Sequence, residues 1–96
     1  MIDNIVFNSN KQSPRPGIPW KMVDRGTPWG NPFVMGIDGT REEVIDLFGL
    51  YANWRLTVQP LWLYSLRGCD LGCHCNPLPC HAHILLRLLK GLSCLD

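Results

Sequence analysis

Eight prolines and nine glycines divide this 96-residue chain into short regular elements that are joined by shaped loops. Residues 9–19 and 25–33 are loops by composition, because turn-forming residues dominate both segments. A chain of this length buries roughly 60–65% of its unfolded surface, which is enough for one modest core. We therefore treat residues 1–96 as a single domain.

The most clearly marked element is a helix that begins after Thr40. Thr40 is a good N-cap residue, and Glu43, three residues later, completes a capping box. Apolar residues at helical spacing then predict a helix over about residues 41–56, with Gly49 as its weak point. Its expected apolar stripe consists of Val44, Ile45, Leu47, Phe48, Tyr51, Ala52 and Trp54.

Two further helices are predicted after the first. Pro60 suits the first turn of a short helix and Gly68 suits its end. The last helix covers about residues 80–90 and stops at Gly91. The residues expected to face inward are Leu61, Leu63 and Leu66 on the short helix and Ile84, Leu85, Leu88 and Leu89 on the last one.

Three short runs of strand-forming residues complete the pattern. They cover residues 5–7, 20–24 and 70–75. The order of elements predicts a small α/β domain, a sheet of two to four strands flanked by helices, with the 70–75 strand in its interior. A sheet this small leaves apolar surface that a homodimer would cover, and four tryptophans supply such surface.

The net charge and the hydropathy of the chain exclude some classes of function. The formal net charge of +1 gives no general attraction to nucleic acid or to anionic membranes. No apolar stretch approaches the ~20 residues that span a bilayer, and the first residues lack a signal-peptide pattern. We therefore expect a cytoplasmic protein with no membrane partner. Its five cysteines are then expected to be thiols, metal ligands or reactive groups.

The strongest chemical signal is the run of cysteine and histidine near the C-terminus. Cys73 and Cys75 point to one face of the predicted strand, since side chains alternate along a strand. Cys80 and His81 open the last helix, where the helix dipole favours a thiolate. Cys80 and His81 are therefore candidates for a catalytic nucleophile or a general acid/base. Alternatively, Cys73 is a small core residue, and the Cys80-His81 pair organises the turn.

A zinc site is a third interpretation of the same residues. Its ligands would be Cys73, Cys75 and Cys80, with His81 or His83 as the fourth. The ligand types are suitable, but a Cys-x-Cys pair on a strand lacks the spacing of a zinc knuckle. The sequence therefore favours no metal and no other cofactor.

The loop at residues 25–33 is the second candidate site. Gly26 and Gly30 would let backbone N–H groups approach an anion, and Arg25 would clamp a phosphate. Trp29 would stack on a base or sugar. The predicted ligand-binding set is Arg25, Gly26, Thr27, Trp29, Gly30, Asn31 and Cys75. The alternative is a rigid structural loop, pinned by proline, with Trp29 and Phe33 in the core.

A local surplus of positive charge precedes this loop. Residues 11–25 hold Lys11, Arg15, Lys21 and Arg25 against Asp24 alone, a surplus of +3. Such a segment could touch phosphates of a nucleic acid. A solvated loop is the favoured interpretation, so we do not expect a nucleic-acid partner.

Two longer motifs carry a family resemblance. The first is Arg25-Gly26-Thr27-Pro28-Trp29-Gly30-Asn31-Pro32-Phe33, followed by Gly36-x-Asp38-Gly39-Thr40-Arg41-x-Glu43-Val44. The second is Leu71-Gly72-Cys73-x-Cys75-x-Pro77-x-x-Cys80-His81. Together they resemble the signature of the DUF4326 family, a domain of unknown function that is common in phages and bacteria. The resemblance covers a core of about residues 20–90 and implies an α/β fold of Rossmann-like type, with no established activity.

Three positions depart from the pattern of that family. It usually has Lys, Trp and Asp where this chain has Cys69, His74 and His83. All three changes are toward residue types that bind metals, which keeps the zinc interpretation open.

The sequence thus predicts a domain that binds a nucleotide or another phosphorylated small molecule. Its cleft would lie between the Arg25–Asn31 loop and the Cys75–His81 turn, and the reaction, if any, is unassigned. A second hypothesis is a non-catalytic interaction or sequestering protein, encoded by a phage, that acts on a host protein or a signalling nucleotide in the host cytoplasm. A third is a zinc-stabilised binding module.

Overall fold

The computed structural model describes residues 3–74, 78 and 80–94, with side chains through residue 91. Within these residues the chain forms an α/β fold of three short strands and two helices. The strands are β1 (Val6–Asn8), β2 (Trp20–Met22) and β3 (Asp70–Cys73), and the helices are α1 (Arg41–Val58) and α2 (His81–Cys94). No helix of this described part is both long and apolar enough to cross a membrane.

The sheet is parallel, with β3 between the two other strands. The strand order is β1-β3-β2, and Leu71 pairs with Val6 on one side and with Lys21 on the other. The prediction that the third strand is interior is confirmed. Leu71 and Cys73 belong to the buried cluster that the helices cover, as expected for alternate residues of one strand.

Gly72 faces the other side of the sheet. A Cβ atom there would lie 3.1 Å from Met22 Sδ and 3.3 Å from Phe7 Cζ. The missing side chain lets Phe7 and Trp20 close over β3, with their ring centroids 5.6 Å apart in a T-shaped contact. This side of the sheet is therefore packed by residues of the strands themselves.

Helix α1 begins as the sequence predicts. Thr40 Oγ1 accepts from the Glu43 backbone N–H at 3.2 Å, and Glu43 Oε1 accepts from the Thr40 N–H at 3.0 Å. Val44, Phe48 and Ala52 are buried on its inner face. The helix passes through Gly49 and continues to Val58, two residues beyond the predicted end. Placing Trp54 in the inner stripe was wrong, because its side chain is 59% exposed.

The predicted short helix after Pro60 is a 3-10 turn, Tyr64–Leu66. Its backbone N–H groups bond to carbonyls three residues back, as Leu66 does to Leu63. Residues i and i+3 of such a turn lie one above the other, which places Leu63 and Leu66 together in the core. Leu61 is exposed and does not belong to this inner face. Gly68, at a φ of 76°, ends the segment in the left-handed region.

The last helix and the third strand also differ in length from the prediction. Helix α2 continues through Gly91 to Cys94, so the glycine does not stop it. Strand β3 ends at Cys73, and Cys75, the predicted strand end, lies outside the described residues. Leu85 and Leu89 are buried as predicted, while Ile84 and Leu88 are partly buried against the core.

A buried carboxylate fastens the N-terminal segment to the sheet. Asp70 accepts two hydrogen bonds from the Arg15 guanidinium, both at 2.8 Å, and one from the Ile5 N–H at 3.0 Å. These bonds, the Arg15 pair foremost, lower the pKa of Asp70 to about 2. Arg15 therefore stabilises the fold. Because its charge is paired with Asp70, it no longer adds to the positive surplus of residues 11–25.

Candidate functional site

The candidate site lies where two parallel strands end and two helices begin. Beyond β2 come Val23, Asp24 and Arg25, and β3 ends at Cys73. Parallel strands bring their carboxyl ends to the same edge of a sheet, where α/β folds place ligands. Arg41, the first residue of α1, and His81, the first residue of α2, lie at this edge too.

A cleft of about 190 Å³ opens at this edge, and we call it the strand-end cleft. It is lined by Asp24, Arg25, Asn31, Met35, Arg41, Val44, Ile45, Cys73, His74, Cys80 and His81. Of the residues predicted from the sequence, the cleft brings together Arg25, Asn31, Cys73, Cys80 and His81. Cys75 lies outside the described residues, and its predicted role stays a prediction.

The loop between β2 and α1 is organised by Asp24. Its carboxylate accepts from the Gly26 N–H at 3.1 Å, and its carbonyl accepts from the Thr27 N–H at 3.0 Å and the Thr27 hydroxyl at 2.7 Å. The Gly30 N–H donates to the Thr27 carbonyl at 3.2 Å. Both glycine N–H groups are thus used inside the loop, and the idea that they cradle an anion finds no support in this geometry.

Gly30 is required by the packing of the loop, and its predicted contact with a ligand stays a prediction. A Cβ atom at Gly30 would lie 2.5 Å from the Asp24 carbonyl oxygen and 2.6 Å from Arg25 Cα. Because both are backbone atoms, any larger residue forces the loop open. Neither Gly26, Thr27 nor Gly30 lines the cleft.

Trp29 is also engaged away from the cleft. Its indole N–H donates to the Trp62 carbonyl oxygen at 2.9 Å, and its ring packs against the buried cluster. Trp29 is not among the described residues that line the cleft. These contacts favour the structural interpretation of Trp29, and stacking on a ligand stays a prediction.

Arg25 is held in place by backbone oxygens. Its Nη1 donates to the Asn31 carbonyl, and its Nη2 donates to the Phe33 carbonyl at 2.9 Å. Within the described part of the chain, no carboxylate forms an ion pair with Arg25. The result is a fixed positive charge at the wall of the cleft, which Asp24 also lines without forming an ion pair with Arg25.

Asn31 connects this loop to α1. The Asn31 side chain is buried, donating from Nδ2 to the Val44 carbonyl at 3.1 Å and accepting from the Phe33 N–H at 2.9 Å. The side chain thereby fixes the carbonyl groups that hold Arg25. Direct ligand contact by Asn31 stays a prediction.

His81 presents a neutral imidazole to the cleft. Its Nε2 lies 2.6 Å from the Val23 carbonyl oxygen, and its ring meets Phe48 edge-on with centroids 5.0 Å apart. A carbonyl only accepts, so Nε2 carries the hydrogen and Nδ1 keeps its lone pair. Burial lowers the pKa of His81 below its ordinary value, and the nearby Arg25 charge acts in the same direction.

Cys80 stands immediately before the first residue of α2. Its side chain is 4% exposed, its Sγ accepts from the Ala82 N–H at 3.3 Å, and its carbonyl accepts from the His83 N–H at 3.1 Å. The sulfur thus satisfies an N–H at the start of the helix, as an N-cap side chain does. The catalytic roles of Cys80 and His81 stay predictions.

The sequence interpretation missed six residues of the cleft, of which Asp24, Arg41 and His74 carry ionisable side chains. Asp24 and His74, at the ends of neighbouring strands, approach each other with 3.3 Å between Oδ2 and Nε2. Arg41 is half-buried at the start of α1. The signal for Asp24 and His74 was their place at or near the carboxyl ends of two predicted strands, and the signal for Arg41 was its place after the N-cap.

The zinc interpretation depends on Cys75, which lies outside the residues that the structure describes. Among the described residues, no three His, Cys, Asp or Glu side chains come close enough together to hold a metal ion. Cys73, Cys80, His81 and His83 therefore do not form such a group by themselves. Zinc binding would require Cys75, and it stays a prediction.

Comparison with known proteins identifies the family. The profile of DUF4326, described as a domain of unknown function, matches residues 8–91. A protein of Enterobacteria phage T4, named "Uncharacterized 12.4 kDa protein in nrdA-td intergenic region", is 43% identical over 75 residues, which cover 71% of this chain and 68% of that protein. No solved structure matches the chain significantly. Since the profile spans most of the sequence and the phage protein supports it, the chain belongs to the DUF4326 family.

Proposed function

We propose that this protein binds the phosphorylated end of a nucleotide or related small molecule in the strand-end cleft. The fold supports this proposal because open α/β sheets bind ligands at the carboxyl ends of parallel strands, and helix N-termini favour phosphate groups. Here α1 and α2 both start at the cleft, so their N-terminal dipoles add positive potential to it.

The observation that carries the proposal is the fixed orientation and positive charge of the Arg25 guanidinium. Its guanidinium is fixed by the carbonyl groups of Asn31 and Phe33, and no described carboxylate forms an ion pair with it, although Asp24 lines the same cleft. A planar cation that is already oriented loses little entropy when it binds a phosphate. Arg41 adds a second guanidinium to the lining of the same cleft.

The size of the cleft limits what it can hold. Its volume of about 190 Å³ is below the roughly 300–1,000 Å³ of pockets that enclose drug-sized ligands. It therefore accommodates a phosphate and part of a sugar, while a base would extend outside. Met35, Val44 and Ile45 supply the apolar contacts for the uncharged part of the ligand.

His81 is the group best placed to exchange a proton with a bound ligand. It is neutral near pH 7, and its Nδ1 keeps a lone pair while Nε2 donates to Val23. Cys80 is the second candidate, although its sulfur is largely buried. We assign no reaction to these groups.

The test is thermal unfolding with inorganic phosphate, ribose 5-phosphate and a panel of nucleotides. A ligand that binds only the folded state raises the melting temperature. We expect a shift for the wild type that is lost in Arg25→Gln and in Arg41→Gln. The matched control is Arg87→Gln, which removes the same charge from an exposed position on α2 that does not line the cleft.

The variants distinguish a loss of ligand binding from a loss of the folded state. If Arg25→Gln does not fold, Arg41→Gln still reports on the cleft. If none of the phosphates shifts the melting temperature of the wild type, or if the Arg87 control loses the shift as well, the proposal is wrong.

A second candidate is a sequestering protein that binds a signalling nucleotide or a host protein without catalysis. Its support is the exposure of Trp54 and Trp20, which lie outside the cleft, together with the relative from phage T4. Such a protein would act in the cytoplasm, which is the host cytoplasm if the chain is encoded by a phage. Nucleotide recovered unchanged after prolonged incubation favours sequestration, and a modified product favours an enzyme.

A further inference from the structure

We propose that a groove beside the strand-end cleft holds the base of the bound ligand, so that the ligand is a nucleotide rather than a sugar phosphate. The groove lies between the loop at residues 35–39 and the first turn of α1, and its volume is about 510 Å³. We call it the base groove. It extends the site of the proposed function, so the inference rests on that function and places the second part of the same ligand.

The base groove is continuous with the strand-end cleft. Met35 and Arg41 line both of them. The cleft, at about 190 Å³, accommodates a phosphate and part of a sugar, so a base attached to that sugar must lie beyond one of its walls. A ligand that leaves the cleft past Met35 and Arg41 enters the base groove directly.

Two apolar side chains at the base groove are exposed to solvent. Ile37 is 80% exposed and Met35 51%, and neither belongs to the buried cluster of the core. Among the large apolar side chains that the structure describes, Ile37 has the highest exposure. The flat face of a nucleobase is commonly held against apolar side chains of this kind. The Met35 thioether adds a favourable contact between sulfur and an aromatic ring.

The loop that presents these side chains is held in place without a ligand. The Val34 N–H donates to Asp38 Oδ2 at 2.8 Å, and the Asp38 N–H donates to the Val34 carbonyl at 2.8 Å. The Gly36 N–H donates to the Gly39 carbonyl at 2.8 Å. Gly39 also lies close against α1, since a Cβ atom there would lie 2.8 Å from Glu43 Cβ. The apolar surface is therefore pre-organised, which reduces the entropy that is lost when a ligand binds.

The charge at the base groove favours a base over a further phosphate. Glu43, unlike Arg41, lines the base groove but not the cleft. Hydrogen bonds with Thr40, that of the Thr40 backbone N–H foremost, lower the pKa of the Glu43 carboxyl group. The resulting carboxylate repels the additional phosphates of a polyphosphate chain and accepts hydrogen bonds from N–H groups, which bases carry. The phosphate of the ligand therefore belongs beside Arg25, and the uncharged base belongs in the base groove.

The experiment is calorimetric titration of the full chain with inorganic phosphate, ribose 5-phosphate, AMP and CMP. We expect AMP and CMP to bind the wild type at least about tenfold more tightly than ribose 5-phosphate, because the base adds buried apolar area. Ile37→Ser should reduce this ratio at least about threefold, since it removes apolar surface from the base groove. Leu61→Ser is the matched control, because Leu61 is 71% exposed and lines neither the cleft nor the base groove.

The outcomes distinguish a failure of the base groove from a failure of the proposed function. If ribose 5-phosphate binds but AMP and CMP bind no more tightly, the base groove is wrong and the phosphate site stands. If Ile37→Ser keeps the wild-type ratio, or if Leu61→Ser loses it as well, the base lies elsewhere and the inference is wrong. If none of the four compounds binds, both proposals are wrong. Thermal unfolding without ligand checks that the variants remain folded, and Ile37→Ala serves if Ile37→Ser does not fold.

Discussion

The indole N–H of Trp29 donates to the carbonyl oxygen of Trp62 at 2.9 Å, and the indole N–H of Trp62 donates to the carbonyl oxygen of Pro28 at 3.1 Å. Two hydrogen bonds from indole N–H groups to backbone carbonyls, one in each direction, thus link the Pro28-Trp29 segment to Trp62. This exchange fastens the loop that carries Arg25 to the segment that follows α1. It explains why the loop needs its aromatic residue even though that residue does not line the cleft.

The first prediction concerns this pair. Trp29→Phe and Trp62→Phe should each lower the free energy of unfolding by about 1–3 kcal/mol, because each leaves a partly buried carbonyl without its donor. The two effects should add incompletely in the double variant, since both bonds hold the same contact. Urea unfolding of the four proteins measures this. Full additivity would show that the two bonds act independently.

The second prediction compares two glycines of the same loop. Gly30→Ala should lower the free energy of unfolding by about 1–3 kcal/mol, because its Cβ would lie 2.5 Å from the Asp24 carbonyl oxygen. Gly26→Ala should change it by less than about 1 kcal/mol, since the nearest atom there is a carboxylate oxygen at 3.5 Å. Thermal unfolding of both variants checks the contrast. Equal effects would mean that the loop does not fold back on Asp24 as described.

Features of the fold that depend on residues close together in the chain could be predicted from the sequence. The capping box at Thr40 and Glu43 was predictable because its partners are three residues apart and the bonds are local. The interior position of β3 was predictable as well, since a short apolar strand needs neighbours on both sides. Local patterns of this kind identify most of the helix and strand positions in this chain.

The roles of the site residues were less predictable because they depend on distant contacts. Gly26 and Gly30 have the composition of a phosphate loop, but the Gly26 N–H donates to the Asp24 carboxylate and the Gly30 N–H donates to the Thr27 carbonyl. Trp54 has helical spacing that fits the core, yet Val44, Phe48 and Ala52 fill the available face. Periodicity alone cannot tell which of two apolar sides of a helix packs inward.

The third prediction follows from the low pKa of Asp70. The value of about 2 lies below the 3.8 of an unperturbed aspartate, so the folded state favours the ionised form. Its contribution to stability is therefore complete above about pH 4 and is lost as the pH falls toward 2. Asp70→Asn should remove this part of the pH dependence. It should also lower the stability at neutral pH, because Arg15 and the Ile5 N–H lose their charged acceptor.

Guanidinium unfolding at a series of pH values between 2 and 5 tests this prediction. The slope of stability against pH should be smaller in Asp70→Asn than in the wild type. Identical slopes would show that pairing with Arg15 does not lower the pKa of the Asp70 carboxyl group.

The last prediction concerns the protonation of His81. Because the pKa of His81 is lowered below 6.5 in the folded protein, chiefly by burial, the unfolded chain takes up this proton first as the pH falls. Stability should therefore be unaffected by His81 above about pH 6.5 and should decrease with falling pH below it. This decrease begins near pH 6.5, whereas the loss of the Asp70 contribution begins near pH 4, so the onsets of the two effects differ.

Nitrogen NMR of the imidazole gives the direct measurement. At pH 7 the spectrum of His81 should show the neutral tautomer with the hydrogen on Nε2, because that nitrogen donates to the Val23 carbonyl at 2.6 Å. His81→Gln is the informative variant, since an amide N–H can replace the Nε2 donor while the basic nitrogen is removed. It should keep most of the stability at pH 7 and lose the decrease near pH 6. A tautomer with the hydrogen on Nδ1 would contradict this assignment, because the remaining lone pair would then lie on Nε2, which faces the Val23 carbonyl.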